Sequence, residues 1–469
     1  MCEVTSDTTA TQRTTRSATK AKKAPPVAST ASNDEDATTA PVKAGAAIDF
    51  GRRPLVPGAS LPFTVLVMIY SHICVTMLCV NVAFDLIVLG LPMYLIKPFS
   101  SKLFRMYMRH LINFTTPIVF NLPMCISGSK LYTDSMDYFV NDVKPQNALM
   151  LANHGSRIDW MIGMYVGFIS TPFRVRVGFV CERVIQFMPL IGWYRRLVCE
   201  DCFVDRSFKV DAINIADNLN SFHADGESRM LYLSPEGVVV DYGERDQKYV
   251  QDCREFCADN GYAPFDYVLT PRYKGQTVLV EHVKNGGTIT SICTAFVRDG
   301  KLLNCEMTSS EREIPDIYSL CAGLAGSPVE MYINLEQLHF TGASTDIKKI
   351  MMDDYKRKDD LLRKWHVMLK AGKMAEFKGQ FEEFQQNFWL AQASQIAHAV
   401  LIVAFFSSLG CLGGFFRSVI YLFVLISFGH TFGYLLNNTS MESVPFETLI
   451  KGVMMALMPS TRKHKGKTD

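Results

Sequence analysis

The sequence predicts an α/β domain, a central sheet covered by helices, with apolar membrane segments on both sides of it. Six short runs rich in β-forming residues lie between residues 145 and 340, and helical patterns separate several of them. This alternation is typical of a sheet covered by helices. Apolar residues make up 48% of the chain and are concentrated in two regions outside this stretch, which indicates membrane segments rather than a uniformly apolar core.

The N-terminal segment, residues 1–50, is predicted to be disordered. It is rich in Ser, Thr and Ala, contains Pro25-Pro26 and has almost no aromatic residues. Such a composition cannot bury enough apolar area to offset the entropy of ordering the chain. The segment also lacks the apolar face of a transit peptide and the pattern of a cleaved secretory signal, so we expect neither.

A membrane segment is predicted at residues 61–96, where His72 and Asp85 are the only ionisable side chains apart from cysteine and tyrosine. A single crossing needs about 20 residues, so this run is too long for one straight span. It fits either a span followed by an interfacial helix or a tight hairpin that turns near residues 81–85. Because a carboxylate is costly at lipid depth, we expect Asp85 at an interface.

The strands and helices of the central domain follow from local pattern. The β-rich runs and the helical patterns between them are typical of short buried strands alternating with helices. The predicted strands are 147–152, 174–180, 202–205, 230–233, 289–297 and 330–334, and the clearest helices are 159–169 and 207–223.

The C-terminal part is predicted to be helical throughout. Residues 345–394 are strongly charged with apolar positions at helical spacing, which predicts amphipathic helices. Residues 396–436 contain two apolar runs, 396–416 and 418–436, divided by Gly413-Gly414 and Arg417. We interpret them as a transmembrane hairpin followed by a basic cytosolic tail, residues 437–469.

Charge and cysteine content exclude other classes of protein. The chain has 48 Lys+Arg against 46 Asp+Glu, so we expect no nucleic-acid partner. Thirteen irregularly spaced cysteines are not a disulfide scaffold. The alternative of a zinc site rests on Cys199, Cys202, Cys253, Cys257 and His223. Because Cys202 begins a strand-like run, ordinary buried thiols are favoured, and we expect no metal.

The strongest chemical signal is AlaAsnHisGlySerArgIleAspTrp, residues 152–160, between a predicted strand and a predicted helix. At about 100° per residue, His154 and Asp159 would be roughly 140° apart on a continuous helix. A turn through Gly155 and Ser156 can instead fold the imidazole back onto the carboxylate. The carboxylate would then fix one ring nitrogen while the other accepts a proton from an attacking hydroxyl.

A structural alternative exists for the same residues. Ser156 and Asp159 have the spacing of a capping box, so Asp159 could simply satisfy amides in the first helical turn. Arg157, inside the same run, could face solvent.

These residues resemble motif one of the glycerophospholipid acyltransferases, AsnHis-x-x-x-x-Asp, of the 1-acylglycerol-3-phosphate acyltransferase type. Trp160 and the run ProLeuIleGlyTrp (189–193) resemble the lysocardiolipin acyltransferase-like branch most closely. The resemblance covers roughly residues 100–365. Three further motifs follow in family order: PheValAspArg (203–206), SerProGluGly (234–237) and ValLeuThrPro (268–271).

The resemblance implies a glycerolipid acyltransferase fold with a mixed sheet in a catalytic domain over residues 100–340. It implies that His154 is the general base and that Asp159 orients it. Acyl-CoA would be a co-substrate, and no cofactor or metal would be needed. The implied substrate-binding residues are Arg206, which would bind the acceptor's phosphate, together with Glu236, Gly237, Pro271 and Arg157.

Each of these motifs also has a plain structural explanation. Arg206 could be a surface residue after an edge strand, ProGluGly is an ordinary turn after a strand, and Pro271 could only shape a loop. Val238 and Val239 stand where many relatives continue ThrArg. This departure leaves Arg206 with more of the phosphate charge to neutralise.

The resemblance implies esterification of a lysophospholipid, either lysophosphatidic acid or a related anionic lipid such as lysocardiolipin. The alternative function is a catalytically idle membrane protein that binds lysophospholipid, although an idle protein would not need both His154 and Asp159. A hydrolase is disfavoured because the sequence has no Gly-x-Ser-x-Gly nucleophile motif.

The bilayer is the expected partner, and the endoplasmic reticulum membrane is the expected location, with several membrane passes and a cytosolic catalytic domain. Lys465 and Lys467 near the C-terminus resemble a dilysine retrieval signal, which requires a cytosolic tail. A basic patch on anionic lipid is the alternative explanation.

Overall fold

The computed structural model describes the greater part of the chain between residues 60 and 438. The described ranges are 60–135, 148–170, 175–205, 207–240, 244–283, 288–321, 323, 328–339, 344–384 and 388–438. The predicted disordered segment 1–50, Arg206 and residues 439–469 of the predicted tail lie outside them.

Nine strands in the described ranges form one mixed sheet. Their order is β4-β3-β5-β2-β6-β8-β1-β9, with β7 paired to β6. The five strands from β4 to β6 run parallel, whereas β8 lies antiparallel to β6 and β1 lies parallel to β8. The strands are β1 (Lys130–Thr133), β2 (Ala148–Ala152), β3 (Arg176–Glu182), β4 (Cys202–Val204), β5 (Arg229–Leu233), β6 (Thr288–Arg298), β7 (Lys301–Leu302), β8 (Glu330–Gln337) and β9 (Glu382–Glu383).

Helices cover both faces of the sheet. On one face α2 and α3 pack against the parallel strands, and on the other α5, α7 and α9 do so. The helices are α1 (Leu61–Phe84), α2 (Ser101–Ser127), α3 (Asp159–Ser170), α4 (Ile191–Leu197), α5 (Phe208–Ala224), α6 (Glu244–Asp259), α7 (Tyr273–Val283), α8 (Ile317–Cys321), α9 (Ser344–Lys370), α10 (Met374–Lys378), α11 (Phe388–Ser408) and α12 (Leu412–Asn438).

The centre of the sheet is buried on both faces, as parallel strands require. Every residue of β2 and β5 is buried. Along β2, Leu149 and Leu151 enter the apolar core beneath α9, and Met150 enters the core on the opposite face. The α/β class and the mixed sheet are thereby confirmed, and all six predicted strands are present with ends shifted by no more than three residues.

The N-terminal apolar segment continues from α1 through a π-helical turn, Asp85–Gly90, into a 3₁₀ turn, Leu91–Leu95. Among the described residues, Val65–Leu95 is the one stretch long and apolar enough to cross a membrane. This segment does not turn back near residues 81–85, so the hairpin alternative is wrong.

Asp85 is buried inside the protein. Its carboxylate accepts a hydrogen bond from Thr115 at 2.8 Å and lies 2.9 Å from the Nε2 atom of His398 on α11. Partners on α2 and α11 satisfy Asp85 inside the fold, and its position at a membrane interface stays a prediction. Such pairing is the usual way in which an acidic group is tolerated between apolar helices.

The C-terminal helices differ from the predicted pattern. The break between α11 and α12 falls at Leu409–Cys411, where Gly410 takes a left-handed conformation (φ 64°) that ends α11. The predicted break at Gly413-Gly414 is wrong, since both glycines lie within α12. The apolar stretches Ile396–Ser408 and Leu412–Val424 are shorter than a membrane span, so the transmembrane hairpin stays a prediction.

Residues 345–394 contain a long amphipathic helix, as predicted, and after it elements that the pattern did not predict. One long helix, α9, is followed by the five-residue α10 and the edge strand β9. Gly372 (φ 73°) ends α9, and the amide of Lys373 donates to the carbonyl of Met368 in the wrapped hydrogen bond of a helix C-terminus. Several side chains of α9 are buried in the sheet's core rather than exposed, Tyr355, Lys358 and Trp365 among them.

Candidate active site

The candidate active site begins at the carboxyl end of β2, between β5 and β6. Ligands in open α/β sheets commonly bind at this edge. Asn153 fixes the loop that follows β2, since its amide exchanges two hydrogen bonds with the backbone of Thr294 on β6, at 3.1 and 2.7 Å. Gly155 lies so close to Asn304 that an added Cβ would be 2.7 Å from the amide nitrogen of Asn304. The loop therefore has little freedom to move.

His154 and Asp159 meet across this turn. The Nδ1 atom of His154 lies 3.0 Å from Oδ2 of Asp159. The Asp159 side chain is 3% exposed, whereas the His154 side chain is 28% exposed. When Asp159 is ionised, Nδ1 is the donor of this hydrogen bond and Nε2 is left as the basic nitrogen. The predicted contact between imidazole and carboxylate is thus present in the structure.

The capping contact is present at the same carboxylate. Oδ1 of Asp159 accepts a hydrogen bond from the Ser156 hydroxyl at 2.7 Å, and Oδ2 accepts one from the Ser156 amide at 3.2 Å. Asp159 therefore stabilises the first turn of α3 and orients His154 with the same two oxygens. The contacts that the functional and the structural interpretations of this residue each require are both present.

Glu236 joins the loop after β5 to the loop after β2. Its buried carboxylate accepts hydrogen bonds from the backbone amides of His154, at 2.9 Å, and Leu269, at 3.3 Å. Burial raises the pKa of this carboxyl, although the amide of His154 and the cation of Lys358 oppose that rise. Glu236 is thus placed to fix the backbone of His154 rather than to contact a ligand directly.

The third and fourth motifs meet in one turn. Gly237 has a left-handed backbone (φ 73°), which glycine adopts without strain. The amide of Arg272 donates to the carbonyl of Pro235 at 2.9 Å, and this bond ties the loop containing the buried Pro271 to the loop after β5. The structure therefore brings His154, Asp159, Glu236, Gly237 and Pro271 into one connected region.

The structure describes one of the two predicted cationic residues, Arg157. Arg157 is exposed beside this region, and its amide donates to the carbonyl of Pro315 at 3.0 Å. Arg206 lies outside the described residues. Within the part of the chain that the structure describes, no three His, Cys, Asp or Glu side chains form a group that could hold a metal ion.

Residues of α9 also reach this region, and they were not predicted from the sequence. Tyr355 and Lys358 hydrogen-bond the carbonyls of the last two residues of β2, Ala152 and Leu151, at 3.1 and 2.9 Å. Their only sequence signal was the apolar periodicity of a charged helix, which does not distinguish a buried lysine from an exposed one.

Comparisons with known proteins relate this region to acyltransferase domains. Residues 138–266 match the family model described as Acyltransferase. The chain is 26% identical over 226 residues to a probable 1-acyl-sn-glycerol-3-phosphate acyltransferase 5 of Arabidopsis thaliana, which covers 46% of this chain and 53% of that protein.

Two mouse proteins are similar over shorter stretches. Lysocardiolipin acyltransferase 1 is 27% identical over 32% of this chain and 38% of its own length. The epsilon form of 1-acyl-sn-glycerol-3-phosphate acyltransferase is 28% identical over 30% of this chain and 37% of its own length. The chain thus spans about half or less of the curated relatives that it matches. These matches support the glycerophospholipid acyltransferase family for the matched part of the chain.

Proposed function

We propose that this protein transfers an acyl group from acyl-CoA to the free hydroxyl of a lysophospholipid. The observation that supports this most directly is the His154–Asp159 pair at 3.0 Å, at the carboxyl edge of the parallel strands. Lysophosphatidic acid and related anionic lysophospholipids, such as lysocardiolipin, are the proposed acceptors, in keeping with the names of the similar proteins.

In the proposed reaction, Nε2 of His154 removes the proton of the acceptor hydroxyl while Asp159 stabilises the resulting imidazolium. The hydroxyl oxygen attacks the thioester carbonyl carbon, a new C–O bond forms and the C–S bond breaks. The CoA thiolate leaves and takes up the proton that His154 carries. The chain forms no covalent acyl intermediate in this sequence of steps, so a side-chain nucleophile is not required.

The decisive experiment uses the purified full-length chain with labelled acyl-CoA and a panel of lysophospholipids, with the products identified by mass. We expect the label in a diacyl product from at least one anionic lysophospholipid. Binding of lysophospholipid without transfer on every member of the panel would favour the idle binding protein instead. Release of free fatty acid alone would favour a hydrolase.

Arg206 is proposed to bind the phosphate of the acceptor, since it ends the second motif and Val238-Val239 supply no cation. Arginine suits this task because its planar fork holds two phosphate oxygens at once. We expect Arg206→Ala to raise the KM for lysophospholipid about tenfold to a hundredfold, a loss of roughly 1.5–3 kcal/mol, with little change in the KM for acyl-CoA.

Two further variants sharpen this test. Arg206→Lys should recover part of the affinity, because an ammonium keeps the charge but not the fork. Lys356→Ala, which removes an exposed cation paired with Asp360 on α9, should leave both KM values unchanged. A higher KM for acyl-CoA with an unaltered KM for lysophospholipid would reverse the proposed placing of the two substrates.

We further propose that α1, α11 and α12 lie in the endoplasmic reticulum membrane. In support, α12 packs against α1 and α11 packs against α2, so the two apolar regions adjoin in the fold. Each of these helices also exposes large apolar side chains, which include Leu66 on α1, Val400 on α11 and Ile420 on α12. Contact with lipid would shield these apolar side chains from water.

The catalytic domain and both ends of the chain are proposed to face the cytosol, where CoA is soluble and thiols stay reduced. Protease added to sealed microsomes should therefore remove a C-terminal tag. A lumenal marker protein should stay intact in the same sample. Full protection of the tag would contradict the proposed topology.

A further inference from the structure

Three residues of α9, on one side of that helix, contact the strands at the candidate active site. Tyr355 and Lys358 are fully buried, and Asp354 is 4% exposed. None of the three lies within residues 138–266, the region that the family model matches. Fully buried lysines are rare unless paired, so these contacts need a physical reason.

The first contact supplies a hydrogen-bond donor to the last carbonyl of β2, which receives none from β5. β2 and β5 pair in parallel with Leu151 opposite Leu233, and one further step sets Ala152 opposite Ser234. The next residue on that side is Pro235, which has no N–H to donate. The hydroxyl of Tyr355 donates to the carbonyl of Ala152 at 3.1 Å instead.

The second contact holds the preceding carbonyl. The ammonium of Lys358 donates to the carbonyl of Leu151 at 2.9 Å and lies 3.0 Å from the carboxylate of Asp354. Asp354 in turn accepts hydrogen bonds from Ser291 on β6, the neighbour of β2 on the other side, at 2.7 and 2.9 Å. Thus α9 is joined to β2 and β6 immediately before the loop that carries His154.

The charge of Lys358 also affects Glu236, whose carboxylate holds the loop after β2. Burial raises the pKa of Glu236, and the attraction of Lys358 is the last of several causes that oppose this rise. The backbone of His154 therefore depends on α9 chiefly through the two contacts with β2.

We propose that Tyr355 and Lys358 are positioning residues for His154, holding the last two carbonyls of β2 so that the imidazole is set correctly against the acceptor hydroxyl. This inference rests on the proposed acyl transfer for its kinetic consequence. Displacing a catalytic group by about 1 Å can cost on the order of a hundredfold in rate. Both residues are fully buried and bind main-chain carbonyls of β2, so their loss should act on kcat rather than on KM.

The first test replaces Tyr355 by phenylalanine in the full-length chain, which removes the hydroxyl and keeps the ring. We expect kcat to fall about tenfold to a hundredfold, with the KM for each substrate within about twofold of the wild type. Tyr332→Phe is the matched control, because Tyr332 is also fully buried and donates its hydroxyl to Glu330 on β8, away from β2. The control should keep kcat within about twofold.

The second test separates Lys358 from its partner. Lys358→Met should lower kcat as Tyr355→Phe does, whereas Asp354→Asn, which keeps the ammonium beside the carbonyl of Leu151, should lower it far less. A purely structural ion pair would make the two variants equally harmful. If Lys358→Met fails to fold, Tyr355→Phe alone still decides the proposal.

Hydrogen exchange gives a measurement that does not depend on turnover. In Tyr355→Phe, amides of residues 150–158 should exchange at least about tenfold faster, while those of β8 should not change. If the wild type transfers no acyl group, the proposed function fails but the exchange result still tests the link to His154. Unchanged kcat together with unchanged exchange in Tyr355→Phe would overturn the inference.

Discussion

His154→Ala is expected to lower the rate of acyl transfer by a factor on the order of 10²–10⁴, the usual contribution of a positioned general base. The methyl group that remains cannot accept the proton of the acceptor hydroxyl. The backbone is not disturbed, because the contact of residue 154 with Glu236 is made by the main-chain amide, which alanine keeps. Initial rates with saturating acyl-CoA and lysophospholipid would measure the loss.

The control for this variant is His339→Ala. His339 is exposed just beyond β8, whose end pairs with the start of β6 and so lies at the opposite edge of the sheet from His154. It should keep wild-type activity. Expression, membrane association and the unfolding temperature of His154→Ala should match the wild type. More than about a tenth of wild-type activity in His154→Ala would remove this residue from the proposed mechanism.

Asp159→Asn is expected to be nearly as damaging, with a loss on the order of 10²–10⁴ in kcat. The amide has the size of the carboxylate but carries no charge to stabilise the imidazolium. The asparagine side chain can present either its carbonyl oxygen or its amide NH2 group to Nδ1 of His154. It therefore no longer imposes the tautomer in which Nδ1 carries the proton. The KM values should change much less, because the carboxylate is buried behind the histidine.

Ser156→Ala distinguishes the two roles of Asp159. It removes the hydroxyl that bonds Oδ1 but leaves the charge beside His154. Both variants weaken the first turn of α3, and each should lower the free energy of unfolding by about 1 kcal/mol. Only Asp159→Asn should lose most of its activity. If Asp159→Asn were active and merely less stable, helix capping would be the main role of this carboxylate.

The strands of the central sheet could be predicted because parallel strands buried on both faces are almost continuously apolar. The run 147–152 and the strand Ala148–Ala152 illustrate this. The contact between His154 and Asp159 could also be predicted, since Gly155 and Ser156 allow a turn between the strand and the helix. Sequence spacing alone did not decide between this contact and helix capping, and the structure contains both.

Other features depend on contacts between residues far apart in the chain and had no local signal. The strand β1 and the helix α2 were not predicted, and Pro117 and Pro123 inside α2 argue against a helix when only the sequence is considered. The burial of Asp85 requires His398, 313 residues away. The same is true of Lys358, whose partner on β2 is 207 residues earlier.

The strand order also governs when the domain can fold as it is synthesised. β2 pairs with β5, about 80 residues later in the chain, and with β6, about 140 residues later. β1 pairs with β8, which is synthesised about 200 residues after it. A nascent chain that ends at residue 266 contains β2 to β5 but leaves the β6 side of β2 unpaired. Such an edge is prone to join another chain. Fragments that end near residue 266 should therefore aggregate. Expression should use chains that extend at least through α9.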